Sequence, residues 1–270
     1  MLYLETITEP VHGVGHFEPL KHYAEAHYQL EPLPRGTGVE FGSRCSLDAL
    51  DLNWQRLTLT NAMERPHKGV LMGGRLTDVR LTLLGGRAHL KHTEGGDFRQ
   101  ATYRAIRQGL MVAREQGKCQ LLEPWYQFTL RVPEEKLGRA LADLQRLCAR
   151  FDAPGSAGNF AHITGNVPVS EVGSYPLEVA AYTGGRGSLT CVFAGYEPCH
   201  NASAVLAAHP YDPEADLPHT PDSVFCAHGA GYTVKWPDVP AAAHVEIDPR
   251  ALGPYRSAAE VLGMRQTNLS

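Results

Sequence analysis

The sequence has 270 residues, 43% apolar and 20% charged, a composition typical of a soluble globular protein with room for one large or two ordinary domains. The formal net charge of -4 excludes a polycation, so any contact with nucleic acid must come from a local patch. No apolar run approaches the roughly 20 residues of a membrane-spanning helix, and no signal peptide opens the chain. With six cysteines that lack paired spacing, these features predict a cytoplasmic protein that does not enter a membrane.

The first part of the chain predicts short strands. Residues 24–33 alternate apolar and polar side chains, the period of a half-buried strand. The glycines and prolines of residues 12–22 indicate a loop. The Pro34–Gly38 segment predicts a turn, after which residues 39–41 return as the second strand of a hairpin.

A strand, a polar loop and a helix are predicted in residues 76–116. Apolar and polar residues alternate from Leu76 to Leu84, and the pair Gly85-Gly86 is expected to end this strand. Asp97 is predicted to be the N-cap of the helix. Residues 87–96 contain two histidines, two cations and almost nothing that favours burial. Small or apolar residues give the helix one face for the core: Phe98, Ala101, Ala105, Ile106, Leu110 and Ala113.

A second unit is predicted from about Cys119. Its pattern is strand, helix, strand, strand, helix, strand, as in a β-α-β-β-α-β domain. Residues 201–221 are rich in prolines and acids and predict a linker, and residues 223–236 predict a hairpin. The expected organisation is therefore a first domain at 1–118, a second at 119–200 and a C-terminal extension at 201–270.

Several of these segments resemble elongation factor G and, more closely, the tetracycline-resistance ribosomal protection proteins. The run from Asp78 to Phe98, the Asp97-Phe98-Arg99 at its end and the following Leu122-Glu123-Pro124 are similar to the passage from domain IV into domain V of that family. Gly185-Arg186-Gly187-Ser188 resembles the motif before the last strand of its domain V. The resemblance implies an α+β protein of two domains in series. The first would be like elongation factor G domain IV, which is ribosomal protein S5-like, and the second ferredoxin-like, followed by a C-terminal extension.

The same resemblance implies a function for the predicted loop at residues 85–97. In the family, this loop enters the decoding region of the small ribosomal subunit. The residues expected to contact small-subunit rRNA are Arg87, His89, Leu90, Lys91, His92 and Thr93. The implied role is tetracycline-type ribosomal protection or translocation, by a monomer whose partner is the ribosome.

The 270-residue sequence contains no nucleotide-binding motif. A phosphate loop needs Gly-x-x-x-x-Gly-Lys-Ser/Thr. The nearest segment, Gly117-Lys118-Cys119, has Val112 in place of the first glycine and a cysteine in place of the hydroxyl residue. The chain itself is therefore expected to be no enzyme and to hold no cofactor. The resemblance implies that GTP and magnesium bind in a preceding part of a longer GTPase.

The alternative interpretation is a metal-binding (zinc) protein, or a hydrolase, that uses cysteine and histidine residues of the C-terminal region. The candidate ligands are the pairs Cys199-His200 and Cys226-Ala227-His228, in a chain with 13 histidines. Zinc sites in proteins usually combine two closely spaced pairs, and neither pair has that form. A serine hydrolase would show a Gly-x-Ser-x-Gly turn, which the sequence lacks. The sequence analysis therefore assigns no metal ligand and no catalytic residue.

Overall fold

The computed structural model describes residues 3–264, which divide by their contacts into two compact units. Unit A comprises residues 5–120 and 206–264, and unit B comprises residues 3–4 and 121–205. No helix within the described residues is both long and apolar enough to cross a membrane. The strands are β1 (Leu4–Ile7), β2 (Val11–Phe17), β3 (Ala24–Pro32), β4 (Val39–Ser43), β5 (Arg75–Leu76), β6 (Val79–Ala88), β7 (Cys119–Pro133), β8 (Arg150–Phe151), β9 (Gly155–Ala157), β10 (Phe160–Pro168), β11 (Ser188–Pro198), β12 (Ser223–Ala227), β13 (Ala230–Val234) and β14 (Arg256–Ser257). The α-helices are α1 (Leu52–Met63), α2 (Gly95–Glu115), α3 (Leu137–Arg146), α4 (Val169–Val172), α5 (Tyr175–Tyr182), α6 (Ala202–Ala208), α7 (Val239–Ala242) and α8 (Ala258–Leu262).

Unit A contains a seven-stranded mixed sheet in the order β13-β12-β2-β3-β6-β4-β14. The strands β2, β3 and β6 are antiparallel neighbours, and β4 lies parallel to β6. The predicted hairpin between residues 24–33 and 39–41 is therefore wrong, because β6 occupies the edge of β3 that β4 would need. The turn at residues 34–38 instead carries the chain past β6.

One face of this sheet forms the main core of unit A. The helix α2 packs on β2 and β3, and α1 packs beside it. The side chains that alternate toward the helices from β3 and β6 are buried, including Tyr28, Leu30 and Leu81. The predicted apolar face of α2 is likewise in the core, with Phe98 and Ile106 at its centre.

The prediction of a loop at residues 12–22 is wrong for residues 12–17, because Val11–Phe17 forms β2 in the middle of the sheet, whereas residues 18–22 lie in the β2–β3 connection. Its glycines are required by contact with α2. A Cβ on Gly13 would lie 2.1 Å from the Ala105 carbonyl oxygen, and one on Gly15 would lie 2.0 Å from that of Ala101. Glycine here permits close helix–strand packing, and it does not mark a turn.

The predicted end of the central strand at Gly85-Gly86 is also wrong, since β6 continues to Ala88. The register between β3 and β6 shifts where His27 pairs with Gly85 and Tyr28 with Leu83, which leaves Leu84 as a bulge. A Cβ on Gly86 would lie 2.5 Å from the Glu25 carbonyl oxygen. The glycine pair therefore permits a bulge and a close strand approach inside the sheet.

The C-terminal segment contributes to unit A. The strands β12 and β13 form an antiparallel hairpin at the position expected for residues 223–236, and β12 joins β2 in parallel at Val224 and Phe17. Phe225, Trp236 and Val239 are buried. The preceding stretch, expected to be a linker, begins with α6.

Unit B has an antiparallel sheet in which β10 and β11 flank β7 and β8 pairs with the far side of β10. In chain order its principal elements are β7, α3, β8, β10, the α4 and α5 helices, and β11. This is the β-α-β-β-α-β order of a ferredoxin-like domain. Side chains from these strands and helices form a separate core that includes Phe128, Leu144, Ile163 and Val179.

Candidate functional site at the β6–α2 loop

The predicted loop at residues 85–97 is shorter in the structure. Because β6 ends at Ala88 and α2 begins at Gly95, the connection comprises residues 89–94, and we call it the β6–α2 loop. Of the expected contact residues, Arg87 lies on β6 with an exposed side chain, whereas His89 to Thr93 all lie in the loop. The structure thus places five of the six side chains on one connection and the sixth two residues before it.

The start of α2 corrects the predicted cap. Glu94 is the N-cap, and Asp97 is the third helical residue, so the assignment of Asp97 as N-cap is wrong. The Glu94 N–H donates to the Asp97 carboxylate over 2.8 Å. The other oxygen of that carboxylate lies 2.9 Å from Nδ1 of His22. Asp97 therefore fixes the C-terminal end of the loop to the chain before β3, as an acid in the first helical turn can.

Thr93 holds the loop closed. Its hydroxyl accepts from the His89 N–H over 2.6 Å and donates to the Tyr23 carbonyl oxygen over 2.6 Å. The N–H groups of His92 and Thr93 both donate to the His89 carbonyl oxygen, over 3.1 and 3.0 Å. The loop is therefore a compact turn fixed to the β2–β3 connection.

The side chains between these anchors face solvent. Leu90 is fully exposed, and His89, Lys91 and His92 are exposed as well. The His89 and His92 rings stack with centroids 4.6 Å apart, and the Lys91 N–H donates to Nδ1 of His89 over 3.3 Å. The loop therefore presents one ammonium group, a stacked pair of imidazoles and one aliphatic side chain.

This set of groups suits binding. Lys91 and the nearby Arg87 offer charge-assisted donors to anions such as phosphates. Flat rings and an exposed leucine offer surfaces to unstacked bases. The nearest acids, Glu94 and Asp97, form the capping box at the start of α2, and the contact of Asp97 with His22 over 2.9 Å anchors the loop to the chain before β3.

The supports of the loop were missed by the sequence analysis. His22 is the last residue of the segment that was predicted as a loop, and Tyr23 follows it, so nothing in the pattern linked them to residues 89–97. Tyr23 is buried, and burial raises the pKa of its phenol. A buried tyrosine next to a strand could have indicated a packing role, but its partner is about 70 residues away in the chain.

The cysteine–histidine pairs of the alternative interpretation have other partners. The Cys199 thiol donates to the Asn201 side-chain oxygen over 3.3 Å, and Nδ1 of His200 lies 2.7 Å from Glu123 Oε1. Cys226 lies on β12 close to the β12–β13 turn, and His228 within that turn adopts a φ of 52°. Within residues 3–264, neither pair belongs to a group of three potential metal ligands.

The segment Gly117-Lys118-Cys119, whose sequence comes nearest to a phosphate-loop motif, has a structural role. Gly117 follows the C-cap of α2 with a φ of 69°, the left-handed conformation that commonly ends a helix. Lys118 pairs with Glu9 over 3.1 Å, and Cys119 begins β7. These residues join a helix to a strand and form no phosphate cradle.

Comparison with known families agrees with both units. Residues 2–114 match the family described as elongation factor G, domain IV, and residues 120–204 match the family described as elongation factor G C-terminus. The chain carries domain IV and the C-terminal domain of the elongation factor G family. The expected α+β fold, with a domain IV followed by a ferredoxin-like C-terminal domain, is confirmed. The β6–α2 loop lies within the elongation factor G domain IV match.

Two tetracycline resistance proteins are similar to the chain. It is 32% identical to the tetracycline resistance protein TetP of Clostridium perfringens over 192 residues, which cover 71% of this chain and 29% of that protein. It is 26% identical to TetO of Campylobacter jejuni over 200 residues, covering 73% of this chain and 30% of TetO. The chain thus spans about three-tenths of the length of these relatives.

A solved structure shares the fold. The crystal structure of a protein from Thermus thermophilus superposes with a TM-score of 0.65 at 24% sequence identity. The match covers 77% of this chain and 31% of that protein. It supports the arrangement of elements within the elongation factor G-like units.

Proposed function

We propose that this chain is the ribosome-binding C-terminal part of a translation-factor GTPase, which presents the β6–α2 loop to the decoding region of the small subunit. The family match and the tetracycline resistance proteins among its relatives support this proposal. The observation that carries it is the loop itself: Leu90 and Lys91 are exposed at its tip, while Thr93 fixes its base to Tyr23.

The rigid base matters for binding. A loop that is already ordered loses little conformational entropy when it meets a partner, so more of the contact energy is available for affinity. Because the whole chain has a net charge of -4, attraction to RNA must come from local cations such as Arg87 and Lys91. The imidazoles and Leu90 supply surfaces for bases that leave their stacks.

Two activities of the intact protein fit this geometry. The loop could release a bound antibiotic from the decoding region, or it could promote translocation. The two relatives described above are tetracycline resistance proteins, which favours ribosomal protection. In either case we expect GTP and magnesium to bind outside residues 1–270 and the chain to act as a cytoplasmic monomer.

The direct test is binding of this chain to small ribosomal subunits, combined with chemical footprinting of their rRNA. Replacing His89, Lys91 and His92 together by alanine should weaken binding at least tenfold and abolish protection of decoding-region nucleotides. Exposed loop residues usually change stability by no more than about 0.5 kcal/mol, so the variant should remain folded.

A matched control replaces His209, His228 and Lys235, which are exposed residues of the same types elsewhere on unit A. This control variant should bind as the wild type does. If the loop variant also binds and protects as the wild type does, the β6–α2 loop is not the contact.

A salt series adds a second criterion. A Lys91–phosphate contact releases counterions, so the replacement Lys91→Glu should cost more affinity at low salt than at high salt. An equal loss at all salt concentrations would mean that Lys91 acts by shape and not by charge.

A further inference from the structure

A buried cluster of titratable side chains lies on the face of the unit A sheet that is opposite to α1 and α2. Gly13 and Gly15 face α2, so strand alternation directs His16 of β2 to the other face, where Glu25 of β3 also lies. Both side chains are fully buried. His244, which follows α7, lies over them, and one ligand atom from each of the three falls within 4.8 Å of the other two.

Glu25 is the centre of this cluster. Its Oε2 accepts from Nδ1 of His16 over 2.7 Å and from the His244 N–H over 2.9 Å. Its Oε1 accepts from Nε2 of His27 over 2.9 Å and from the Val245 N–H over 2.8 Å. The carboxylate therefore joins β2, β3 and the C-terminal segment at one point.

The carboxylates in the cluster favour binding of a cation. The second nitrogen of His16, Nε2, lies 3.1 Å from a carboxylate oxygen of Glu18, so two carboxylates flank one buried imidazole. Among the ion pairs formed by residues 3–264, Glu18 and Glu25 have only histidine partners. Of the two carboxylates, that of Glu25 is fully buried and needs a compensating positive charge, which either a proton on an imidazole or a metal ion can supply.

We propose that His16, Glu25 and His244 bind a zinc ion through two imidazoles and one carboxylate. This combination of protein ligands is one that zinc commonly takes, with a solvent molecule at the fourth position. The proposal does not depend on the ribosomal function proposed above.

Each of the three ligands has a second partner that would orient it. Nε2 of His16 faces Glu18, Nδ1 of His244 lies 3.1 Å from the Tyr23 hydroxyl, and Oε1 of Glu25 is held by His27. Metal-binding histidines typically use their other nitrogen in this way. The His16 ring is also fixed by Phe225, whose ring is stacked on it with a centroid distance of 4.0 Å.

Binding requires a small adjustment. Two ligands of a tetrahedral zinc lie roughly 3.3 Å apart, whereas His16 Nδ1 and Glu25 Oε2 are 2.7 Å apart as hydrogen-bonded partners. The metal would replace the proton between these atoms. Sequence spacing gave no sign of the site because Glu25 and His244 are 219 residues apart and form no recognised motif.

The test is zinc titration of the full chain after removal of metals with a chelator. Calorimetry should show one zinc per chain with a raised melting temperature, and cobalt should give the visible absorption of a four-coordinate site. The variant His244→Ala should lose at least tenfold in zinc affinity and show no zinc-dependent rise in melting temperature. His244 is exposed, so this variant should fold even if His16→Ala does not.

The control variant Cys226→Ser/His228→Ala removes the rival pair of the C-terminal region and should bind zinc as the wild type does. If the wild-type chain binds no zinc, or if His244→Ala binds it unchanged, the proposal is wrong.

Discussion

The hydroxyl of Thr93 connects the two ends of the β6–α2 loop to the β2–β3 connection. Replacing Thr93 by valine keeps the shape of the side chain but removes the hydrogen bonds to the His89 N–H and the Tyr23 carbonyl oxygen. We expect a loss of about 1–2 kcal/mol in the free energy of unfolding, and faster hydrogen exchange at the His89 amide. Urea unfolding and amide exchange measure both.

Thr60→Val is the matched control for that experiment. The exposed Thr60 hydroxyl donates only to the Arg56 carbonyl oxygen in α1, so its loss should change stability by about 0.5 kcal/mol or less. Equal losses in the two variants, with unchanged exchange at His89, would show that Thr93 does not hold the loop.

His67 gives unit A a pH dependence of known sign. Burial lowers the pKa of His67 to about 4, while its Nε2 lies 2.8 Å from the Ala62 carbonyl oxygen. As the pH falls, His67 takes up a proton near pH 6.5 in the unfolded chain but only near pH 4 in the folded chain. Stability from neutral His67 is therefore complete above pH 6.5 and falls as the pH drops toward 4, by at most about 3 kcal/mol.

Urea unfolding at pH 7.5 and pH 5 measures this effect in the wild type and in His67→Gln, which retains an N–H donor but does not titrate. The variant should lose less stability between the two pH values than the wild type. An identical pH dependence would exclude His67 as its source.

The contact of β2 with α2 depends on glycine. A Cβ at Gly15 would lie 2.0 Å from the Ala101 carbonyl oxygen, so Gly15→Ala must push the helix off the sheet. We expect a loss of about 1–3 kcal/mol or more in the stability of unit A. Thermal or urea unfolding gives the value.

Gly138→Ala provides the opposite case. Gly138 lies in α3, where a Cβ added to it would meet no atom within 4 Å, so alanine should stabilise unit B by roughly 0.5–1 kcal/mol. If both alanine variants shift stability in the same direction, close helix–strand contact is not the reason for glycine in β2.

In the chain as a whole, the C-terminal segment contributes to the stability of unit A. The predicted division at 118 and 200 treats residues 201–270 as an extension, whereas the contacts of the structure group residues 206–264 with residues 5–120. Phe225, Trp236, Val239 and Val261 are buried in that segment. Each such side chain stabilises by roughly 1.5–3 kcal/mol, so their sum is comparable with the stability of a whole domain.

A chain that ends at residue 205 should therefore lose the folded state of unit A and keep that of unit B. Two-dimensional amide spectra separate the two outcomes, because signals of unit B would remain dispersed while those of unit A collapse. A truncated chain with the wild-type melting transition would show that residues 206–264 attach only loosely.

Local patterns by themselves determined much of this protein. Alternation identified β3 and much of β6, helical spacing identified the core face of α2, and spaced motifs such as Leu122-Glu123-Pro124 indicated the family. These features depend on neighbours within a few residues, so they can be read without a fold. The same patterns located residues 87–96 as a polar stretch between two regular elements, and the resemblance to elongation factor G gave that stretch its expected rRNA contacts.

Only the tertiary structure decided the meaning of the glycines and the partners of buried polar groups. Gly13, Gly15 and Gly86 look like turn residues in the sequence, but each lies where another backbone comes too close for a Cβ. The hydrogen bond between Thr93 and Tyr23 links residues 70 positions apart in the sequence, and that between His244 and Glu25 links residues 219 positions apart. Such contacts are set by strand order and packing, which leave no local period in the chain.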